Sequence, residues 1–182
     1  MDEELYSRFL SGDSKSYDEL MIRYGDSLTV YLFGYLHNWQ DAEDLMIEAF
    51  ARIMVKKPQI REGGFRAYLY KTARNLAARF HALGEREEEF SLEELEEEPH
   101  GGPLPEEMLQ DAEKKQVLHL CLNRIEPSLR EALWLVYMEE LSYAETAAVM
   151  KMTPQKVNKL LNKGKKLMRE ELKKEGVSGA YE

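Results

Sequence analysis

A strongly acidic segment in the middle of the chain limits the folds open to it more than any other feature. Residues 84–113 contain thirteen acidic residues and one basic residue. Such a segment repels itself and buries little apolar surface, so it is typical of an exposed, flexible linker. The residues on either side are enough for one small domain each. We therefore predict domains at residues 1–83 and 114–175, this acidic linker between them, and a short tail at 176–182.

The N-terminal part has apolar residues at spacings of three and four, which is the period of an α-helix. The predicted apolar faces cover residues 20–35, 42–54 and 65–80. Asp13 is placed to cap the first helix, and Pro58 ends the second. Met54 and Phe80 close the last two apolar faces.

The C-terminal part is also predicted to be helical, at 114–124 and 127–138 and then twice more between 141 and 172. Because no segment alternates apolar and polar residues as a strand does, the predicted fold class is all-α. The architecture would be two small helical domains, a bundle and a helix-turn-helix, joined by the acidic linker.

The helix-turn-helix is predicted from local signals. Ser142 and Glu145 have the spacing of a capping box and open a short helix that ends near Met150. After a three-residue turn, Thr153 can cap and Pro154 can start a longer helix. The residues expected to be buried between the two helices are Ala144, Ala147, Ala148, Met150, Val157, Leu160, Leu161 and Leu167.

The net charge of -9 argues against nucleic-acid binding, but its distribution reverses that argument. Residues 154–174 carry eight basic and two acidic residues, the electrostatic footprint of a helix that contacts phosphates. Polar residues at the start of such a helix can reach base edges in the major groove. The residues predicted to contact DNA here are Thr153, Gln155, Lys156, Asn158, Lys159, Lys163 and Lys166.

Other classes of function find little support. The four histidines are scattered, so we expect no metal site, no catalytic residues, no cofactor and no enzymatic activity. No stretch is apolar enough to span a membrane, and the acidic N-terminus is unlike a secretory signal. Cys121 is the single cysteine and cannot form an internal disulfide, which fits a cytoplasmic location and no membrane insertion.

Three motifs in order resemble the extracytoplasmic-function (ECF) subfamily of sigma-70 factors. DAEDLMIEAFARI at 41–53 and FRAYLYKTARNLA at 65–77 resemble sigma region 2, and residues 127–172 resemble region 4, which reads the -35 promoter element. The resemblance implies an RNA polymerase sigma factor that directs core polymerase to promoters and helps to open the DNA. The implied partners are core RNA polymerase, through the clamp helices of its largest subunit, and promoter DNA, with an anti-sigma factor as a further candidate.

The resemblance also implies where the partners bind. The helix from residue 41 would dock on polymerase through Asp41, Glu43, Asp44 and Glu48, although acidic residues there also suit the helix dipole. Residues implied to bind the -10 element are Lys56, Lys57, Arg61, Arg66, Tyr68, Lys71, Arg74, Asn75 and Arg79. Rings such as Phe65, Tyr68 and Tyr70 either stack on bases or belong to the core.

Some positions depart from the family pattern, notably Lys151, where glycine is usual, and Ile47, where glutamine is common. Two alternatives therefore stay open. A stand-alone helix-turn-helix regulator would bind a palindromic site without polymerase. A divergent adaptor would bind polymerase or an anti-sigma factor but have no promoter activity.

Overall fold

The computed structural model describes residues 1–84, 117–118 and 120–176, and every regular element within these ranges is helical. The N-terminal helices are α1 (Asp2–Leu10), α2 (Ser14–Leu36), α3 (Trp39–Lys56) and α4 (Phe65–Gly84). The C-terminal helices are α5 (Pro127–Leu133), α6 (Tyr143–Met150) and α7 (Pro154–Lys174), with a π-helical turn at Trp134–Met138 after α5. The all-α prediction is confirmed. Apart from Gly84, which ends α4, the predicted linker lies outside the described residues.

Helices α2, α3 and α4 pack against one another around a core of leucine and aromatic side chains. Asp13 caps α2 as expected, because its carboxylate accepts the Lys15 N–H at 3.2 Å. Asn38 caps α3 in the same way through the Asp41 N–H at 3.0 Å. These caps begin α2 and α3, and most of the predicted apolar face of each helix is buried in the core.

Helix α1 was not predicted from the sequence. It lies on α2 and α4 and buries Leu5, Tyr6 and Phe9. The Tyr6 hydroxyl donates to the Pro58 carbonyl at 2.8 Å, which ties α1 to the segment that follows α3. A nine-residue helix is marginal on its own, so this one depends on the surface it covers.

The capping residues of the helix-turn-helix are those predicted. Ser142 Oγ accepts the Glu145 N–H at 3.2 Å, and Glu145 accepts the Ser142 N–H at 2.9 Å, which completes the capping box. Thr153 accepts the Lys156 N–H at 3.3 Å, and Pro154 is the first residue of α7. The helix predicted at 127–138 has the expected extent, but its last turn is π-helical, with the Glu139 N–H bonded to the Trp134 carbonyl.

Four side chains of the predicted apolar faces are exposed. Ala144 and Ala148 face solvent, and Thr146, Ala147, Val149 and Met150 form the buried side of α6. Met54 and Phe80 are 45% and 41% exposed. The reason is the same in each case: an apolar residue at the edge of a helical face is buried only where a neighbouring helix reaches it. Leu160 and Leu167 are half-buried, whereas Val157 and Leu161 are buried as predicted.

Lys151 ends α6 in the left-handed conformation, with a φ of 55°. Its N–H and that of Met152 both bond to the Ala147 carbonyl, which closes the turn between α6 and α7. A residue with a Cβ is strained in this conformation, whereas glycine is not.

We expect Lys151→Gly to raise the free energy of unfolding by about 0.5–1 kcal/mol. Urea titration measures this. If Lys151→Ala stabilised the protein equally, the strain argument would be wrong.

Candidate nucleic-acid and polymerase interfaces

The N-terminal half of α7 presents a basic stripe, defined here as Lys156, Lys159, Lys163 and Lys166, whose spacings of three and four place them on one face. All seven residues predicted to contact the -35 element are exposed. Within the described residues the stripe has one ion pair, between Lys163 Nζ and Glu126 Oε2 at 3.0 Å, and both side chains of this pair are more than half exposed. Such a pair is weak, so the stripe is available to a polyanion.

The opposite face of α7 packs on α5 through Gly164. A Cβ at this position would lie 3.0 Å from Leu133 Cδ1 and 3.3 Å from Leu133 Cγ. Because real Cβ contacts are longer than this, glycine lets α5 and α7 approach more closely than another residue would. The close packing of α5 and α6 on α7 fixes the direction in which the basic stripe points.

The acidic residues predicted to bind polymerase lie along α3, but several also have partners within the helix. Glu43 accepts from Trp39 Nε1 at 2.9 Å, and Glu48 accepts from Arg52 Nε at 2.9 Å. Asp44 is exposed and accepts only a long bond from Gln40 among the described contacts. Because these partners are local and accessible, the carboxylates can exchange them for a basic partner at small cost.

Beside these carboxylates lies an exposed apolar patch that the sequence analysis did not identify, consisting of Ile47, Met54 and Val55. Their side chains are 52%, 45% and 79% exposed. With Asp44 and Glu48 they lie on one side of α3, and we call this surface the α3 docking stripe. Apolar residues flanked by charges are typical of a protein-binding surface. The signal in the sequence was Ile47, an apolar residue on the polar side of the helix.

The residues predicted to bind the -10 element fall into two groups. Tyr68, Lys71, Asn75 and Arg79 lie on one outward face of α4 and are exposed or half-buried. Lys56, at the end of α3, and Lys57 and Arg61, in the segment that follows it, are exposed. By contrast, Phe65 and Tyr70 are fully buried, so the core interpretation holds for these two rings.

Arg66 and Arg74 form the second group, and they face the C-terminal helices instead. Arg74 Nε donates to Glu131 Oε1 of α5 at 2.8 Å, in an ion pair whose two side chains are 17% and 4% exposed. Arg66 Nη1 donates to the Glu139 carbonyl at 2.7 Å. Both arginines lie on the side of α4 that contacts α5, α6 and the turn between them, where groups of the C-terminal half are their partners.

Burial affects the ionisable groups at this contact. Burial raises the pKa of the Glu139 carboxyl above its usual value, although bonds from Tyr70 and Trp134 Nε1 oppose the shift. The pKa of Tyr31 and of Tyr35 is raised well above 10, first by burial and then by the charge of Glu131. Both hydroxyls therefore stay protonated at neutral pH and act as hydrogen-bond donors.

Comparison with known families identifies the protein family that has this combination of surfaces. The model of Sigma-70 region 2 matches residues 20–86, and the model of Sigma-70, region 4 matches residues 115–168. The two matches stand in the order that the sequence motifs indicated. The chain belongs to the sigma-70 family.

Curated relatives place this sigma factor in the ECF subfamily. It is 28% identical over 163 residues to ECF RNA polymerase sigma factor SigE of Mycolicibacterium smegmatis, a match that covers 87% of this chain and 62% of that protein. It is also 28% identical over 158 residues to the ECF RNA polymerase sigma-E factor of Escherichia coli K12, covering 82% of each chain. Sigma factors are non-enzymatic initiation factors, in agreement with the prediction of no enzymatic activity.

Two solved structures have the same fold as this sigma factor. CnrH, in complex with the cytosolic domain of CnrY, aligns with a TM-score of 0.61 and 18% identity over 94% of this chain and 97% of that one. The sigma factor RpoE of Bartonella quintana, in complex with the anti-sigma factor NepR, also aligns with a TM-score of 0.61 and 18% identity, over 87% of this chain and 98% of that one.

The described residues of this sigma factor contain no helix with the length and apolarity to cross a bilayer. Within the same ranges, no three histidine, cysteine, aspartate or glutamate side chains are grouped as metal ligands. Cys121 is buried, and burial raises the pKa of its thiol.

Proposed function

We propose that this sigma factor docks on core RNA polymerase through the α3 docking stripe and directs it to promoters in the cytoplasm. The N-terminal half of α7 reads the -35 element in the major groove, and the outward face of α4 with residues 56–61 holds the -10 element. The observation that carries the proposal is the basic stripe of α7. Its four lysines share one exposed face and have one weak ion pair among the described residues, so this surface suits a polyanion.

Reconstituted transcription tests the proposal directly. Core polymerase is supplied with fragmented host DNA, with and without the protein, and the 5′ ends of the transcripts are sequenced. Discrete new starts that share two upstream motifs are the expected result. If the protein co-elutes with core but gives no new starts, it is an adaptor without promoter activity. If it neither co-elutes nor gives starts yet still binds a palindromic site, it is a stand-alone regulator.

The α3 docking stripe makes a specific prediction. Ile47→Arg places a cation in the exposed apolar patch, so we expect it to weaken core polymerase binding by about 2 kcal/mol, a factor of about 30. The matched control is Ile22→Arg, because Ile22 is 81% exposed on α2, outside the stripe. Fluorescence anisotropy with labelled protein measures both affinities. Equal losses in the two variants would show that the stripe is not the docking surface.

We also infer that an anti-sigma factor partners this protein. Support comes from the two solved structures of the same fold, one of which has an anti-sigma factor bound and the other a cytosolic domain. Affinity purification from the host followed by mass spectrometry tests the inference. A stoichiometric partner that suppresses the new starts when added to the reconstituted reaction supports it. A partner that binds but leaves the starts unchanged contradicts it.

A further inference from the structure

Glu131 of α5 inserts its carboxylate into a socket that belongs to the other half of the molecule. It accepts hydrogen bonds from the hydroxyls of Tyr31, at 2.9 Å, and Tyr35, and from Arg74 Nε at 2.8 Å. All three donors come from helices α2 and α4, and Glu131 is 97% buried among them. The N-terminal bundle thus builds an anion-binding socket, and the C-terminal half supplies the anion.

The chemistry of this socket suits a phosphate as well as a carboxylate. A guanidinium binds both groups through paired N–H donors, and a protonated tyrosine hydroxyl donates to either. The raised pKa of Tyr31 and Tyr35 keeps both hydroxyls protonated. An anion is needed there, because a buried guanidinium left without one is strongly unfavourable.

Exposed cations on the outward face of α4 point to nucleic acid as the alternative anion. Lys71 and Arg79 lie on the outward face of the same helix, α4, and are exposed. A groove of about 310 Å³ opens beside the ion pair and is lined by Arg74, Glu131 and Met152, among others. A buried ion pair of this kind contributes little net stability, so the contact can open when another anion replaces Glu131.

We propose that the socket formed by Tyr31, Tyr35 and Arg74 is a binding site for a backbone phosphate of promoter DNA, and that Glu131 occupies it in the free protein. The same closed arrangement holds Arg66 against the Glu139 carbonyl and 3.7 Å from Glu140. Separation of the two halves removes the C-terminal partners of both arginines together, while Arg66 keeps its bond from Nε to the Tyr24 hydroxyl at 3.2 Å. This inference deepens the proposed function, on which it rests, by naming a DNA site and the internal group that competes for it.

The test uses the free full-length protein and a fluorescein-labelled single-stranded DNA 20-mer of random sequence. Glu131→Gln removes the charge but keeps the size of the side chain, so it weakens the hold on Arg74. We expect it to bind the oligonucleotide at least about fivefold more tightly than the wild type. The matched control is Glu19→Gln, which removes one charge from an exposed position on α2. It should leave the affinity unchanged.

Two double variants separate the socket from a general change in charge. Adding Arg74→Ala to Glu131→Gln should abolish the increase in oligonucleotide affinity. Adding Tyr35→Phe instead should reduce that increase. If Glu131→Gln binds no more tightly than Glu19→Gln, or if the gain survives Arg74→Ala, the proposal is wrong.

Hydrogen exchange on the wild type provides a second test that does not depend on a folded variant. Saturation with the same oligonucleotide should increase exchange in α5 at residues 127–133, because Glu131 leaves the socket. Unchanged exchange at saturation contradicts the proposal. These assays contain no polymerase, so the socket can be demonstrated even if the transcription experiment gives no new starts. New starts can likewise be observed even if the socket does not bind DNA. Failure of the socket and failure of the proposed function are therefore distinguishable.

Discussion

Replacing Lys156 and Lys159 with alanine is expected to remove nearly all promoter-specific starts while leaving polymerase binding intact. Both side chains lie on the basic stripe near the start of α7 and are exposed. Each lost contact with a base edge or a phosphate costs about 1 kcal/mol or more, so the double variant should lose a factor of about 30 or greater. Reconstituted transcription from a mapped promoter measures the loss, and co-elution with core polymerase measures docking.

The matched control removes two lysines from the other end of the same helix. Lys173 and Lys174 lie about 25 Å from the start of the stripe at 1.5 Å per residue. Lys173→Ala with Lys174→Ala makes the same change in net charge, but we expect it to leave most of the starts. Equal losses from the two double variants would mean that α7 acts only through its total charge, and the assignment of the stripe to the -35 element would fall.

Arg130→Met is expected to have the largest effect on stability, a loss of about 3–5 kcal/mol. The guanidinium of Arg130 is buried and donates to the carbonyls of Leu122 at 2.8 Å, Asn123 at 3.1 Å and Ile125 at 2.8 Å. Leu122 and Asn123 lie in the last turn of the helical segment at 120–123, and Ile125 follows it, so these carbonyls are at a helix end. The Leu122 carbonyl also accepts the Ile125 N–H, at 3.3 Å. Methionine would fill a similar space but remove the guanidinium donors from all three carbonyls.

The control for this prediction is Arg124→Met, the same substitution six residues earlier. Arg124 is exposed, and its ion pairs with Glu171 and Glu175 lie at the surface, so its loss should move the unfolding midpoint much less. Urea titration in a Trp39→Phe background follows the remaining tryptophan, Trp134, which is buried in the same C-terminal half. Similar midpoints for the two variants would show that Arg130 does not hold the helix end.

Most helix boundaries were predictable because the signals that fix them are local. The capping bonds of Asp13, Ser142 and Thr153 join groups no more than three residues apart, so the residue types alone identify them. Pro154 acts at equally short range. For the same reason the basic stripe of α7 could be placed on one face from spacing alone, and the structure shows all its residues exposed.

The burial of apolar residues at the edges of the helical faces could not be predicted with the same success. Short α6 has apolar or small residues on nearly every side, and contact with α4, α7 and the preceding turn selects which of them are buried. Helix α1 shows the same dependence, because a short helix forms where Tyr6 and Phe9 find a surface made by distant residues. The spacing of apolar residues describes one helix alone, whereas the burial of each side chain depends on the helices packed around it.

The sequence by itself determined the helical class, the two groups of helices, the caps and the surface of α7, since each follows from residues close together in the chain. Only the tertiary structure decided that Arg66 and Arg74 turn toward the C-terminal helices. Their partners lie 73 and 57 residues away along the chain, and no local pattern distinguishes these arginines from Lys71 or Arg79. Long-range pairing depends on how the two halves pack, and that packing creates the Glu131 socket.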